Sequence, residues 1–336
     1  MSYCNNLAWS SLRLAVALAA AGRFASPAAA ELKVVVTIKP VHGLVAQVMD
    51  GIATPALLVA GAASPHTYAM RPSDARSLSH ADVFFRVSES VEPFTVKVVK
   101  SLPETVRVVT LAEARGVALL NVRTSPTFEA HAHVAEGGHG PADHDRGASA
   151  TDDGHDHGES GQPIRDGHVW LDPENAKHMV REIARVLVET SPNNAAILNR
   201  NAERLLADLD RLEAEIARDL DPVKDKPFVV FHDAYQYFER RFGLTALGSI
   251  TVSPEVQPSA KRLSEIRRKI ATLGASCVFA EPQFKGQLVG AVIEGTKARS
   301  GTLDPEGALV DPGPEAYATL LRNLASSLKS CLHEVS

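Results

Sequence analysis

Cysteine is scarce in this 336-residue chain, which has three, at positions 4, 277 and 331. Neither Cys277 nor Cys331 has a Cys or His neighbour at the spacing of a zinc finger, so a cysteine-based zinc module is disfavoured. The sequence also lacks the His-Glu-x-x-His motif of a large class of zinc hydrolases. What remains is a chain with 45% hydrophobic residues, long enough for a globular protein of about two domains.

A membrane-spanning run is missing near the N-terminus. The apolar run at 14–21 is far shorter than the roughly 20 residues that cross a bilayer, and Gly22 and Arg23 interrupt it. Arg13 precedes the run and three alanines at 28–30 follow it, which is the pattern of a secretory signal peptide. We therefore expect cleavage after the last of these alanines and a soluble mature protein outside the cytoplasm.

An excess of basic residues is also missing. Loss of the signal peptide removes two arginines, Arg13 and Arg23, and changes the formal charge from −5 to −7, which disfavours a nucleic-acid partner. The same cleavage removes Cys4. The remaining pair, Cys277 and Cys331, most simply forms one disulfide in an oxidising compartment, and a pair of cysteine metal ligands is the weaker alternative.

Short β-branched runs alternate with helical patterns along the chain, in two successive series. This alternation is typical of α/β folds, and it predicts two lobes with mostly parallel central sheets flanked by helices. Between the series, leucines and isoleucine recur every three or four residues over 192–220, which predicts one long, rigid helix that joins the lobes. We expect a metal site in the cleft between them. The predicted segments are a signal peptide at 1–30, a first lobe at 31–190, a linking helix at 191–221 and a second lobe at 222–336.

Strand predictions follow from the same runs. The predicted strands lie at 32–38, 55–59, 82–87 and 106–111 in the first lobe, and at 227–231, 244–251, 276–280 and 301–303 in the second.

Six of the thirteen histidines fall between positions 131 and 157, among glycines and acidic residues. This composition cannot form a core, but it is rich in imidazole and carboxylate ligands and so indicates metal handling; the alternative is a solvated loop whose histidines bind nothing. We expect a disordered insertion at about 124–167 that binds metal weakly, because its ligands are not preorganised. The histidines of this secondary site are His131, His133, His139, His144, His155 and His157.

Three other histidines stand at predicted strand–helix junctions. His66 follows the strand at 55–59, His168 precedes a helix that Pro173 opens, and His232 ends the strand at 227–231. Ligands of open α/β sheets bind at the carboxyl ends of strands, so these three imidazoles can meet in the cleft. A lone histidine is more often hydrogen-bonded to backbone, but three at equivalent junctions favour a shared metal ion.

Two carboxylates are candidates for a fourth ligand. Asp304 follows the strand at 301–303, and its alternative role is helix capping. Glu281 occupies a similar junction and is the lesser candidate. Three imidazoles with at most one carboxylate suit tetrahedral Zn²⁺ better than octahedral Mn²⁺.

Four motifs together resemble the zinc-binding periplasmic proteins of ABC importers, the cluster A-I solute-binding proteins, over essentially the whole mature chain. They are Pro-His-Thr-Tyr-Ala-Met-Arg-Pro-Ser-Asp at 65–74, His-Val-Trp-Leu at 168–171, Phe-His-Asp-Ala-Tyr at 231–235 and Cys-Val-Phe-Ala-Glu-Pro-Gln-Phe at 277–284.

The resemblance implies His66, His168 and His232 as zinc ligands and a Cys277–Cys331 disulfide. It also implies a periplasmic location, a monomer, and delivery of zinc to an inner-membrane permease with a cytosolic ATPase. Manganese-binding relatives have a glutamate where this chain has His232. Some zinc-specific members have a glutamate before the first histidine, whereas Pro65 cannot coordinate. The fourth position therefore falls to Asp304, water or a loop histidine.

Other functions compete with this prediction. A zinc hydrolase would also use three protein ligands and an open position, but no general base is obvious except Glu281 or Asp233, so we do not expect an enzyme. A manganese importer component and a stand-alone periplasmic zinc chaperone or buffer remain alternatives.

Overall fold

The structure is a computed structural model that describes residues 32–123, 164–251, 258–284 and 286–333. Contacts group these residues into one unit that begins at Leu32. The predicted signal peptide and the six clustered histidines lie outside the described residues, so both stay predictions, as do the domain boundaries. Within the described ranges, no helix is both long and apolar enough to cross a membrane.

Two four-stranded parallel sheets form the centres of the two lobes, which confirms the predicted α/β class. Their strand orders are β2-β1-β3-β4 and β6-β5-β7-β8, so the first and third strands along the chain are central in each lobe. The central strands are buried because helices cover both faces of a parallel sheet. The strands are β1 (Val34–Val36), β2 (Ala56–Leu57), β3 (Val83–Arg86), β4 (Arg107–Thr110), β5 (Phe228–Val230), β6 (Ala246–Ser249), β7 (Cys277–Ala280) and β8 (Arg299–Thr302).

The helices begin and end at residues with the expected local chemistry. Pro72 and Pro173 each occupy the first helical position, where the missing N–H costs nothing. The Asp172 carboxylate caps its helix by accepting from the Glu174 N–H at 2.9 Å. The helices are α1 (Lys39–Val48), α2 (Pro72–Ser79), α3 (Thr95–Val99), α4 (Pro173–Thr190), α5 (Ala195–Leu220), α6 (Gln236–Phe242), α7 (Ala260–Leu273), α8 (Gln287–Ile293) and α9 (Ala316–Leu332).

The predicted long helix is present as α5, which has 26 residues and is about 39 Å long. It starts later than predicted, because Pro192–Asn194 form a 3-10 turn before it. The Ser191 hydroxyl accepts from the Asn194 side-chain amide at 2.9 Å and does not cap the helix. The apolar stripe of α5 is buried against α1, α4 and α9, so one helical layer serves both lobes.

The predicted disulfide between Cys277 and Cys331 is confirmed. It joins β7 in the second sheet to α9, across a sequence separation of 54 residues. Closing a loop of that length stabilises the fold by about 4 kcal/mol in the chain-entropy model.

Candidate metal centre

Three histidines converge where the two lobes meet. His66 lies in a 3-10 turn, Pro65–Thr67, between β2 and α2, and His168 immediately precedes a second such turn that leads into α4. His232 lies two residues beyond the carboxyl end of β5. Among the residues that the structure describes, these three form the one group of His, Cys, Asp or Glu side chains whose ligand atoms all lie within 4.8 Å of one another.

The spacing of the imidazole nitrogens fits a tetrahedral ion. The Nε2 atom of His168 lies 3.3 Å from that of His66 and 3.4 Å from that of His232. Two nitrogens bound to a tetrahedral zinc, each at about 2.05 Å, are about 3.3 Å apart. These two spacings therefore match those between neighbouring ligands of a tetrahedral zinc.

Carboxylates orient two of the three rings. The Nδ1 atom of His168 lies 2.6 Å from Asp166 Oδ1, and that of His232 lies 2.7 Å from Glu281 Oε1. A carboxylate accepts, so Nδ1–H of each ring donates to it and Nε2 is directed at the shared centre. His66 has a different support, a backbone hydrogen bond at Ser90.

These carboxylates are held in turn by other side chains. Tyr235 donates its hydroxyl to Glu281 Oε1 at 3.2 Å, and Gln236 donates its amide to Asp166 Oδ2 at 2.5 Å. Both donors come from the start of α6, directly after His232. The chain segment that supplies His232 therefore also holds the carboxylates that orient His232 itself and His168.

Burial and neighbouring charges separate the pKa values of the histidines. Burial, together with His168 and His232, lowers the pKa of His66 to about 2. Burial would also lower the pKa of His232, but the Glu281 carboxylate outweighs it and raises that pKa to about 9. At neutral pH the metal-free site therefore holds a neutral His66 and a protonated His232.

Asp166 is ionised in this site. Burial favours the neutral acid, but the neighbouring His168 outweighs burial, and the pKa of Asp166 is lowered. A permanent negative charge behind an imidazole raises the basicity of the ring toward a cation.

The predicted ligand Asp304 is not in the group of three histidines. Its two oxygens accept from the Gln283 side-chain amide at 3.0 Å and from the Leu309 N–H at 3.1 Å. Glu281, the lesser candidate, contacts His232 through Nδ1, on the side of the ring away from Nε2.

Sequence reasoning missed a third carboxylate, Glu306. Its Oε1 atom lies 4.0 Å from His66 Nε2, and the side chain is 6% exposed. Burial raises the pKa of Glu306 to about 8. Its position two residues after Asp304 was the available signal, but proximity in sequence does not tell which carboxylate turns toward the histidines.

A cavity of about 450 Å³ adjoins the three histidines. Apolar side chains line one wall, among them Val91, Pro93 and Val122. Ile164 also lines it.

The sequence matches a known family over most of its length. The profile of the family described as zinc-uptake complex component A, periplasmic, matches residues 34–331. The high-affinity zinc uptake system protein ZnuA of Brucella abortus is 48% identical over 306 residues, which is 89% of this chain and 91% of the relative. The protein of the same name from Yersinia pestis is 38% identical over 319 residues, 95% and 96% of the two chains.

Solved structures share the fold. A crystal structure of ZnuA has a TM-score of 0.70 at 22% identity, covering 90% of this chain and 99% of that one. A mutant structure of the laminin-binding adhesin Lmb of Streptococcus agalactiae also has a TM-score of 0.70, at 23% identity, covering 90% and 100%. At these identities the similarity supports the two-lobed architecture alone.

Proposed function

The chain belongs to the family of zinc-uptake complex component A, periplasmic, and from that membership we propose that it captures Zn²⁺ and delivers it to the permease of an ABC importer. One observation carries the choice of ion. The Nε2 atom of His168 lies 3.3 and 3.4 Å from those of His66 and His232, and these spacings suit ligands of tetrahedral zinc. Octahedral manganese prefers more oxygen ligands than such a site offers.

His66, His168 and His232 are the proposed protein ligands, each through Nε2. The first two come from the first lobe and the third from the second, so bound zinc holds the lobes together. Separation of the lobes would remove His232 from the other two ligands, which gives the permease a way to obtain the ion. Zinc is the transported substrate in this scheme, and no catalytic step is proposed.

The fourth position belongs to a carboxylate in our proposal. Asp304 was the prediction from sequence, and its oxygens already accept two hydrogen bonds. Glu306 is buried beside His66, with its Oε1 atom 4.0 Å from His66 Nε2, which is roughly 0.7 Å more than the spacing of two ligands on a tetrahedral zinc. We therefore assign Glu306 to this position, and paired Glu306→Gln and Asp304→Asn variants distinguish the two carboxylates by their zinc affinity.

The proposed setting follows from the family. Export by the signal peptide at 1–30 delivers the mature chain to the periplasm, where it acts as a monomer. Its partners are an inner-membrane permease and a cytosolic ATPase. The clustered histidines at 131–157 are proposed to bind further zinc weakly.

Calorimetry on residues 31–336 tests the assignment. Wild-type protein should bind Zn²⁺ tightly and Mn²⁺ weakly. His66→Ala should weaken zinc binding more than about 100-fold, because even residues behind a metal ligand contribute 10–100-fold. Deletion of residues 129–164 should lower the stoichiometry and leave the tight site intact. The exposed His80, which bonds to the Arg76 carbonyl, provides the matched control His80→Ala.

Two results would contradict the proposal. If the deletion abolishes tight binding while His66→Ala does not, zinc binds at the insertion and the cleft is misassigned. If a strain without this chain grows normally under zinc chelation, or is rescued by manganese as well as by zinc, the importer role fails.

A further inference from the structure

A loop of the second lobe, residues 304–310, crosses to the first lobe beside the metal centre. We call it the Glu306 loop, after its buried carboxylate. Glu306 Oε1 lies 4.0 Å from His66 Nε2 and accepts a long hydrogen bond of 3.5 Å from the Ser64 hydroxyl. Both contacts cross from the second lobe to the turn that carries His66. The position of this loop therefore decides where the Glu306 carboxylate lies relative to the histidines.

Lys39 is the main attachment of the Glu306 loop to the first lobe. It opens α1, directly beyond β1, and its side chain is 5% exposed. Its ammonium donates to three backbone carbonyls of the loop, Gly307 at 2.8 Å and Ala308 and Val310 at 2.9 Å each. All three N–H donors of one lysine are thus used within four residues of another lobe.

Burial of the Lys39 ammonium costs hydration free energy. An ammonium removed from water loses hydration free energy that only a full set of hydrogen bonds offsets. Burial lowers the pKa of Lys39, while the charges of Asp304 and Asp311 oppose that change. An apolar side chain at this position would fill space without the penalty, but it would leave three loop carbonyls without these donors.

A second contact attaches the same loop close to another zinc ligand. The Trp170 indole donates to the Pro305 carbonyl at 2.8 Å, and Trp170 lies two residues after His168. Tyr317 donates its hydroxyl to the Trp170 carbonyl at 2.8 Å. The loop is therefore fixed on both sides of Glu306, at Pro305 by a tryptophan and from Gly307 onward by a lysine.

We propose that Lys39 is a positioning residue for the fourth zinc ligand: its three hydrogen bonds hold the Glu306 loop against the first lobe so that the Glu306 carboxylate faces the three histidines. This inference rests on the proposed function, since it requires zinc at the histidines. It assigns to Lys39 no contact with the ion. Its effect on zinc must act through Glu306.

The test combines Lys39→Met, Glu306→Gln and the double variant. Methionine keeps the length and apolar body of lysine without the ammonium. The matched control is Lys177→Met, which removes another largely buried lysine, one that pairs with Glu174, Asp210 and Glu213 away from the site. Zinc affinity is measured by competition with a chelator, and the stability of the zinc-free protein by thermal unfolding.

The visible spectrum of the Co²⁺-substituted protein supplies a readout that a purely structural role would not change. We expect Lys39→Met to lower zinc affinity about tenfold, and the double variant to match Glu306→Gln, since both act on one ligand. The cobalt spectrum of Lys39→Met should shift toward that of Glu306→Gln. Lys39→Arg, which keeps the charge and donors, should restore part of the parent spectrum. Lys177→Met should change thermal stability alone.

Additive losses in the double variant, or an unchanged cobalt spectrum in Lys39→Met, would overturn the positioning role. If Lys39→Met does not fold by circular dichroism, Lys39→Gln replaces it under the same criteria. Failure of the proposed function looks different, because His66→Ala would then bind zinc as tightly as the parent protein. In that case the positioning role of Lys39 is wrong as well.

Discussion

His232 and His66 face the same centre but are supported in different ways. His232 is 2% exposed, and its ring is held by Glu281, which Tyr235 holds in turn. His66 is 10% exposed, lies in a 3-10 turn, and has a backbone partner at Ser90. His232 is thus held by a chain of side-chain hydrogen bonds with a carboxylate behind the ring, whereas His66 is supported by a backbone contact, so we expect His66 to adjust at lower cost. We infer that the site takes its geometry from His232 and closes around the ion through His66.

Removal of His232 should have the largest effect on zinc affinity. His232→Ala is expected to weaken zinc binding more than His66→Ala does, since both lose an imidazole but only the imidazole of His232 has the Glu281 carboxylate behind it to raise its basicity toward the ion. Chelator competition on both variants, with His80→Ala as control, measures the difference. Equal losses of zinc affinity in the two variants would show that His232 and His66 contribute equally to zinc binding.

Neutralising the carboxylates behind the rings should have an intermediate effect. Glu281→Gln and Asp166→Asn keep the shape and an acceptor oxygen but remove the charge, and each should lower zinc affinity by about 10–100-fold. The exposed Glu294, which pairs with Arg267 at 3.1 Å, gives the control Glu294→Gln. Unchanged affinity in both site variants would mean that the carboxylates serve folding alone.

The proton on His232 predicts a pH dependence. With its pKa raised to about 9, His232 is protonated below that pH in the metal-free site, and zinc must displace the proton. Affinity should therefore fall by up to about tenfold per unit from pH 9 to 8, and more steeply below 8, where Glu306, with its pKa raised to about 8, also holds a proton that zinc must displace. His66, with its pKa lowered to about 2, contributes no proton in this range.

Calorimetry in buffers of different ionisation enthalpy counts the released protons. Glu281→Gln should reduce the count, because the charge that favours protonated His232 is gone. A count that is independent of this substitution would place the proton on another group.

Much of the architecture was predictable because it depends on local pattern. The runs that predict β1, β3, β5 and β7 are mostly apolar, as is typical of strands covered on both faces, and each predicted range contains the observed strand. The start of α5 was less accurate. Both a 3-10 turn and an α-helix accept proline at the first position, so Pro192 could not distinguish them.

The candidate metal site was predictable only in part. His66, His168 and His232 follow from their places at strand ends, which parallel topology brings to one edge of each sheet. The roles of Asp166 and Glu281 depend on the direction in which their side chains point. They lie 2 and 49 residues from the histidines that they contact, and these separations in sequence do not reveal the contacts. Asp304 remains a predicted ligand because of its place at a strand–helix junction. Glu306 is a candidate only because the fold brings its carboxylate close to His66.

The sequence by itself determined the fold class, the disulfide pair, the family resemblance and the residues that can bind an ion, because composition, periodicity and motifs are local properties of a chain. Tertiary structure alone decided which nitrogen of each ring faces the centre, which carboxylate lies beside His66, and how Lys39 holds a loop 268 residues away. Those are matters of distance and direction between segments that the fold brings together, and no linear pattern contains them.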